Sequence, residues 1–278
     1  MRAFAEDAAT RAWARLRTVR NRGFRSRLRH RPDAPALILS PHPDDAVIDC
    51  WSILTDSRAV EVLNVFAGSP APGELAYYDR LAGARDSAEH LRRRIAEDRE
   101  ALGLAGRSPR NLGFLARSYR RGRPEPSFAQ LDAALLACRE GASLVCAPAA
   151  LGTPHPDHEL VRAYALRLAM EGMPVRLYAD LPYCGFYGWP SWVSEQEANP
   201  SVDVDAYWEG SAGQAAGLLT RDRAEVVRLD AGQATAKLAA MRAYRAEFAV
   251  LDRGPVGQLS NPAIHGYEVF WSVGNGAG

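Results

Sequence analysis

Residues 36–45 read ALILSPHPDD. An unbroken apolar run, Ala36-Leu37-Ile38-Leu39, passes directly into a polar cluster, Ser40-Pro41-His42-Pro43-Asp44-Asp45. Apolar residues without alternation mark a strand buried on both faces. The cluster then lies at the carboxyl end of that strand. The arrangement recurs downstream. Ser143 to Ala147 (SLVCA) reads as a buried strand, and Pro154-His155-Pro156-Asp157-His158 follows shortly after it. Two further strands are expected at Ala59 to Phe66 (AVEVLNVF) and at Val175 to Ala179. Between the strands stand helical patterns: a start over 45–54, a long Arg/Glu-rich stretch over 79–103 ending at Gly103, then 127–139, and 160–171 stopped by Gly172 and Pro174. GSPAPG (68–73) reads as a loop, and Pro200 to Ser211 as a long loop or lid. Strands alternating with helices predict an α/β fold: a Rossmann-like, doubly wound, mostly parallel sheet with helices on both faces. Such sheets bind ligands beyond the carboxyl ends of their strands.

Composition narrows the classes. The chain has 278 residues, 47% hydrophobic and 24% charged, with ample apolar material for a core. A net charge of +1 provides no global field for nucleic acid or a membrane surface. No apolar stretch reaches the ~20 residues that span a bilayer. The first residues lack an apolar signal core, so a cytoplasmic location is expected. Cys50, Cys138, Cys146 and Cys184 form no CxxC pair, which argues for reduced thiols. Residues 1–33 stand apart as an arginine-rich arm, from Arg11 to Arg31, ahead of a single catalytic domain over 34–278.

The two polar loops gather three imidazoles and three carboxylates at one end of the predicted sheet. Prolines stiffen both loops. Catalytic zinc sites take three protein ligands, commonly two histidines and a carboxylate, and keep one position for water. The remaining groups suit the other tasks of amide hydrolysis: a carboxylate to accept the water's proton and a histidine to stabilise an oxyanion or protonate the leaving amine. Either loop alone could be a turn with a capping aspartate. Two of them, each after a buried strand, point to Zn2+ or another divalent transition metal such as nickel, iron or cobalt.

At these residues the chain resembles the LmbE-like, or PIG-L-type, zinc-dependent N-acetylglucosaminyl deacetylases. Those enzymes carry a (P/A)HPDD loop after the first strand and an HPDH loop further on, which stand here as Pro41–Asp45 and His155–His158. RRRIAEDREALGL (92–104), KLAAMRAYRAEF (237–248) and YEVFW (267–271) resemble a helix ending in Leu-Gly, a C-terminal helix and a following strand of that family. The resemblance implies that His42, Asp45 and His158 are the metal ligands. It makes Asp44 the general base, His155 the group that stabilises the oxyanion or assists the leaving amine, and Asp157 a residue that orients His155 or otherwise supports the loop. It also implies a small N-acylated amino-sugar or glycoconjugate substrate, with acetyl the usual acyl group. This chain departs from the pattern at three places. Ala46 stands where glutamate is frequent, and Ala116 where aspartate is frequent. Tyr244 is followed by Ala246-Glu247 instead of Ser-Gln.

Further substrate contacts are expected from Arg94 and from Tyr183, Tyr187 and Trp189 in LPYCGFYGWP, whose rings could stack on a sugar or an aglycone or else pack in the core. Arg94 and Glu97, one turn apart, would otherwise pair with each other. Cys50 is expected to be a buried inert thiol. His30, His90 and His265 lack partner spacing and read as structural. Ser69 is not set in a GxSxG elbow. A metal amidase acting on a non-sugar amide or thiol conjugate fits the same residues, whereas a non-catalytic binding module would lack a ligand or base, and none is missing here. A homo-oligomer is compatible with all of these readings.

Overall fold

The computed structural model describes residues 34–152, 155–194, 201–212, 215, 217–252 and 257–273; the arginine-rich arm over 1–33 lies outside the described residues. The strands are β1 (Ala36–Ser40), β2 (Val60–Asn64), β3 (Pro109–Asn111), β4 (Leu144–Pro148), β5 (Val175–Tyr178), β6 (Ala224–Arg228) and β7 (Tyr267–Val273). The helices are α1 (Asp45–Asp49), α2 (Trp51–Leu54), α3 (Tyr77–Leu81), α4 (Ser87–Gly103), α5 (Arg117–Arg120), α6 (Phe128–Gly141), α7 (Pro156–Met170), α8 (Val204–Ser211), α9 (Ala231–Met241), α10 (Phe248–Leu251) and α11 (Pro262–His265).

The strands form one sheet in the order β3-β2-β1-β4-β5-β7-β6. The first five of these run parallel, and β7 is antiparallel to both β5 and β6. The mostly parallel, helix-flanked α/β architecture is the one expected from the sequence. All five residues of β1 are buried, as its unbroken apolar run requires. The chain winds from β1 to β2 on one side and later places β4 on the other. The gap between the ends of β1 and β4 is therefore the topological switch point. The HPDD loop leaves β1 and the HPDH loop follows β4, so both open into that gap.

Local chemistry sets the helix limits. Ser127 with Gln130, and Asp230 with Gln233, form capping boxes at α6 and α9. Pro156 opens α7 at a position where a missing N–H costs nothing. The helical pattern over 79–103 divides in two. Gly83, at φ 84°, carries the chain out of α3, and the Asp86 carboxylate starts α4 by accepting the Glu89 N–H at 2.8 Å. The expected loop over 200–211 also differs. Asp203 caps α8, and Trp208 anchors that helix against Trp189 and Trp271, with ring centroids 5.3 and 6.4 Å away. Strands β3 and β6 were not expected; neither contains a fully buried residue, so neither shows a buried-strand pattern.

All four cysteines are buried and unpaired. Among the described residues no helix is long and apolar enough to cross a membrane.

One buried ion pair ties α9 to β7 and to α2. The Glu268 carboxylate accepts from Lys237 Nζ at 2.8 Å and from the Trp51 and Ser52 N–H groups at 2.7 and 3.0 Å. Those N–H groups belong to the first turn of α2 and have no partner within their own helix. Both side chains of the pair are at most 1% exposed. Truncating one partner strands the other charge in the core. Glu268→Ala should therefore lower the unfolding free energy by about 3–5 kcal/mol, read from urea denaturation. An unchanged midpoint and slope would show that the pair is not a structural clamp.

Candidate active site

The switch point collects the side chains of both histidine loops. His42, Asp45 and His158 each present a donor atom within one group less than 4.8 Å across, and all three are buried. Asp45 Oδ2 lies 3.6 Å from His42 Nδ1 and 3.6 Å from His158 Nε2. It also accepts the His42 backbone N–H at 2.7 Å, which fixes its direction.

The rear nitrogen of each histidine is held by its own carboxylate. His42 Nε2 meets Asp157 Oδ2 at 3.1 Å, and His158 Nδ1 meets Asp180 Oδ1 at 2.8 Å. These carboxylates are themselves anchored. Asp157 accepts the Arg117 N–H at 2.8 Å and pairs with Arg120, also at 2.8 Å. Asp180 accepts the Leu151 N–H at 3.1 Å. Metal-binding imidazoles typically have their second nitrogen fixed in this way, which aims the first one. The fit to a metal has direct support here: His158 Nε2 is fully buried, faces Asp45 and has no hydrogen-bond partner. Two imidazoles and a carboxylate suit a divalent transition metal.

Charge balance agrees with that reading. Burial alone would lower the His42 pKa, but its contacts with Asp157 and Asp45 raise it to about 10. Burial alone would raise the Asp45 pKa, but the two histidines bring it down to about 2. The metal-free site therefore holds a proton on His42 between two carboxylates, where a cation would otherwise supply the positive charge.

Asp44 and His155 flank the trio. Burial outweighs the nearby Arg94 guanidinium and raises the Asp44 pKa to about 7. Arg94 Nη2 donates to Asp44 Oδ2 at 2.8 Å. The ring of His155 stands edge-on to His42 and His158, at 4.9 and 5.0 Å. Burial, reinforced by those two neighbours, lowers its pKa to about 3, so the imidazole is neutral. Its Nδ1 is buried without a partner. The Tyr183 ring closes the same side, 5.1 Å from His158 and 5.6 Å from His155. Gly152 allows this close approach. It sits at φ 80°, and a Cβ there would lie 2.2 Å from the Tyr183 carbonyl oxygen.

Several residues differ from their expected places. Asp157 orients His42, not His155, because its two oxygens are taken by His42, the Arg117 N–H and Arg120. Arg94 reaches Asp44 and Glu247; Glu97 instead accepts the Ala246 N–H at 2.9 Å. Trp189 is a core residue. It is 5% exposed, and its indole N–H donates to the Ile264 carbonyl at 2.8 Å, so it is not available to a substrate. Tyr187 is half-buried and stacks edge-on with Phe186 and Tyr207 at 5.0 and 5.2 Å. His90, read as structural, is bonded to Glu247 beside Arg94. Asp180, Glu247 and Arg120 were not anticipated. Asp180 had a usable signal: it lies two residues beyond β5, a polar residue at the carboxyl end of a strand, like the two histidine loops.

Comparisons with known proteins place these residues among relatives. Residues 37–169 match the family model described as PIG-L, GlcNAc-PI de-N-acetylase, a span that holds both histidine loops. A 2'-N-acetylparomamine deacetylase of Streptomyces fradiae is 34% identical over 183 residues, covering 59% of this chain and 62% of that protein. A 2'-N-acetylparomamine deacetylase of Niallia circulans is 27% identical over 189 residues, covering 53% of this chain and 66% of that protein. The chain thus spans less than two thirds of the length of these curated relatives. The crystal structure of the A40926 pseudoaglycone deacetylase superposes with a TM-score of 0.60 at 28% identity, over 88% of this chain and 99% of that one. The resemblance to LmbE-like, PIG-L-type deacetylases is borne out.

Two outcomes follow from the geometry. Asp180→Asn removes the charge that aims His158, so metal affinity should fall about 10–100-fold in a competition titration against a chelator. An unchanged affinity would show that His158 needs no such support. The second concerns protons. In the metal-free protein, His42 is raised from 6.5 to about 10. The stability it contributes is therefore complete below 6.5 and lost as pH rises through about 10. Metal needs a free ring lone pair, so uptake at about pH 8 should release close to one proton, measured by calorimetry in buffers of different ionisation enthalpy. Uptake without proton release would contradict the assignment of His42.

Proposed function

We propose that this PIG-L-type chain is a zinc-dependent N-deacetylase that hydrolyses the acetamide of an amino-sugar unit on a glycosylated small molecule, acting in a reducing cytoplasm. The observation that carries the reading is the convergence of His42, Asp45 and His158 at the switch point, with Asp44 on one side and His155 on the other. Zinc held by these three residues would supply Lewis acidity to the amide carbonyl and lower the pKa of water toward ~7.

The chain's own groups supply the rest. Arg94 occupies Asp44 Oδ2, which leaves Oδ1 to take the proton of the attacking water. A pKa of about 7 suits that task, because the carboxylate is substantially ionised at neutral pH yet basic enough to accept a proton. The protonated Asp44 can then pass its proton to the departing nitrogen. His155, neutral and unpartnered at Nδ1, has an N–H to offer the carbonyl oxygen as negative charge develops. Asp157 and Asp180 keep His42 and His158 from turning.

Substrate class follows from the relatives and from the site's wall. The paromamine and pseudoaglycone names both denote glycosylated small molecules. Tyr183 lies against the two imidazoles, which supports a role for its ring in stacking on a sugar or an aglycone; Tyr187, in the same segment, is assigned the same role. Arg94 is removed from the substrate contacts, since it serves Asp44.

The test is amine release from 2'-N-acetylparomamine and from N-acetylglucosaminyl glycosides, followed by fluorescent derivatisation. Asp44→Asn should keep the metal and lower kcat about 10²–10⁴-fold, and His155→Ala about 10²–10³-fold. His42→Ala should lose the metal. A fully metal-loaded Asp44→Asn enzyme with wild-type turnover would end the proposal.

A further inference from the structure

Joined to Asp44 through Arg94 is a second buried polar cluster, built from four separate segments. His90 and Arg94 are four residues apart on α4 and share one face. Asp79 comes from α3, Tyr119 from α5, and Glu247 from the turn between α9 and α10. Asp79, His90 and Glu247 are 4%, 2% and 8% exposed.

The contacts form a chain that ends on Asp44. Tyr119 donates its hydroxyl to Asp79 Oδ2 at 2.9 Å. Asp79 Oδ1 lies 4.0 Å from His90 Nε2. His90 Nε2 is bonded to Glu247 Oε1. That same Glu247 oxygen is 3.9 Å from Arg94 Nε, and Arg94 Nη2 reaches Asp44 Oδ2 at 2.8 Å. Arg94 thus lies between two carboxylates: Nη2 is hydrogen-bonded to Asp44, while Nε is buried without a hydrogen bond and faces Glu247 across 3.9 Å as an ion pair.

We infer that Glu247, fixed by His90, is a positioning residue for the deacetylation, holding the Nε edge of Arg94 so that Nη2 occupies one oxygen of Asp44 and leaves the other free. The inference rests on the reading of Asp44 as the base. A long arginine side chain has several rotamers, and one contact does not select among them. A second carboxylate at ion-pair distance, buried beside Nε, adds a charge attraction that favours the orientation with Nε turned toward it. Without Glu247, the guanidinium would be free to swing across both Asp44 oxygens and mask the atom that must take a proton. Only an ionised side chain at position 247 can form an ion pair with the guanidinium.

The test compares zinc-loaded Glu247→Gln, His90→Gln and His90→Ala with wild type, using Glu100→Gln on the exposed Arg245 pair as a control expected to behave as wild type. Metal content is measured for each, turnover is read on 2'-N-acetylparomamine, and the crystal structure of Glu247→Gln is solved. Glu247→Gln should retain one metal and lower kcat about 10–100-fold with KM within about three-fold, because the defect lies in the base and not in binding. His90→Gln, which can still donate to Glu247, should retain more kcat than His90→Ala. In the crystal, Arg94 should leave its position on Asp44 Oδ2. Wild-type kcat in Glu247→Gln, or an unmoved Arg94, would overturn the inference. Asp44→Asn is run alongside: if it abolishes turnover while Glu247→Gln does not, only the positioning role fails. If Asp44→Asn turns over normally, the base reading fails and this inference falls with it. A second metal equivalent, lost in His90→Ala, would assign Asp79, His90 and Glu247 to an ion and likewise overturn it.

Discussion

Two hydrogen bonds aim the site: His42 to Asp157 and His158 to Asp180. An imidazole can present either nitrogen and can flip about its χ2 axis. A carboxylate behind each ring removes that freedom and points Nδ1 of one ring and Nε2 of the other toward Asp45. The rest of the arrangement depends on those two anchors. Asp157 is itself held by the first N–H of α5 and by Arg120, and Asp180 by a backbone N–H beyond β4. The backbone of the sheet and its first loops therefore sets the ring orientations through only one intervening side chain.

That arrangement concentrates negative charge in a dry place. Asp44, Asp45, Asp49, Asp157 and Asp180 are all under 5% exposed. Burying carboxylates without compensation is expensive, so each must share a proton or face a cation or an N–H group. Arg94 and Arg120 supply two cations, and backbone N–H groups supply further support. Asp49 accepts the Leu181 N–H, but burial still pushes its carboxyl well up. The space between His42, Asp45 and His158 is where a divalent cation would complete the balance. Electrostatics and ligand geometry thus agree.

Much of this was legible in the chain itself. The apolar run ALIL followed by HPDD, and SLVCA followed by HPDH, located two central strands and the end of the sheet where chemistry gathers. Neither loop revealed which carboxylate would stand behind which ring, because that depends on how β4, β5 and α5 pack. Adjacency in sequence pairs Asp157 with His155, yet its hydrogen bond is with His42, 115 residues away. Arg94 was matched with Glu97 by helical spacing, whereas the tertiary partners Asp44 and Glu247 prevailed. Trp189 looked like a stacking platform because aromatic residues cluster around it. Its indole instead packs on Trp208 of α8, and that one contact both draws Trp189 into the core and anchors a helix over residues whose sequence reads as a loop.

The ion pair between α9 and β7 has a chemical consequence of another kind. Lys237 is the sole lysine in the sequence, and it is fully enclosed. The folded surface therefore presents no nucleophilic side-chain amine. Amine-directed reagents find no lysine to modify along the folded body, and arginine carries the surface's positive charge in a form that does not react with them. A protein proposed to release amines from acylated sugars thus has no exposed lysine that an activated acyl donor could consume.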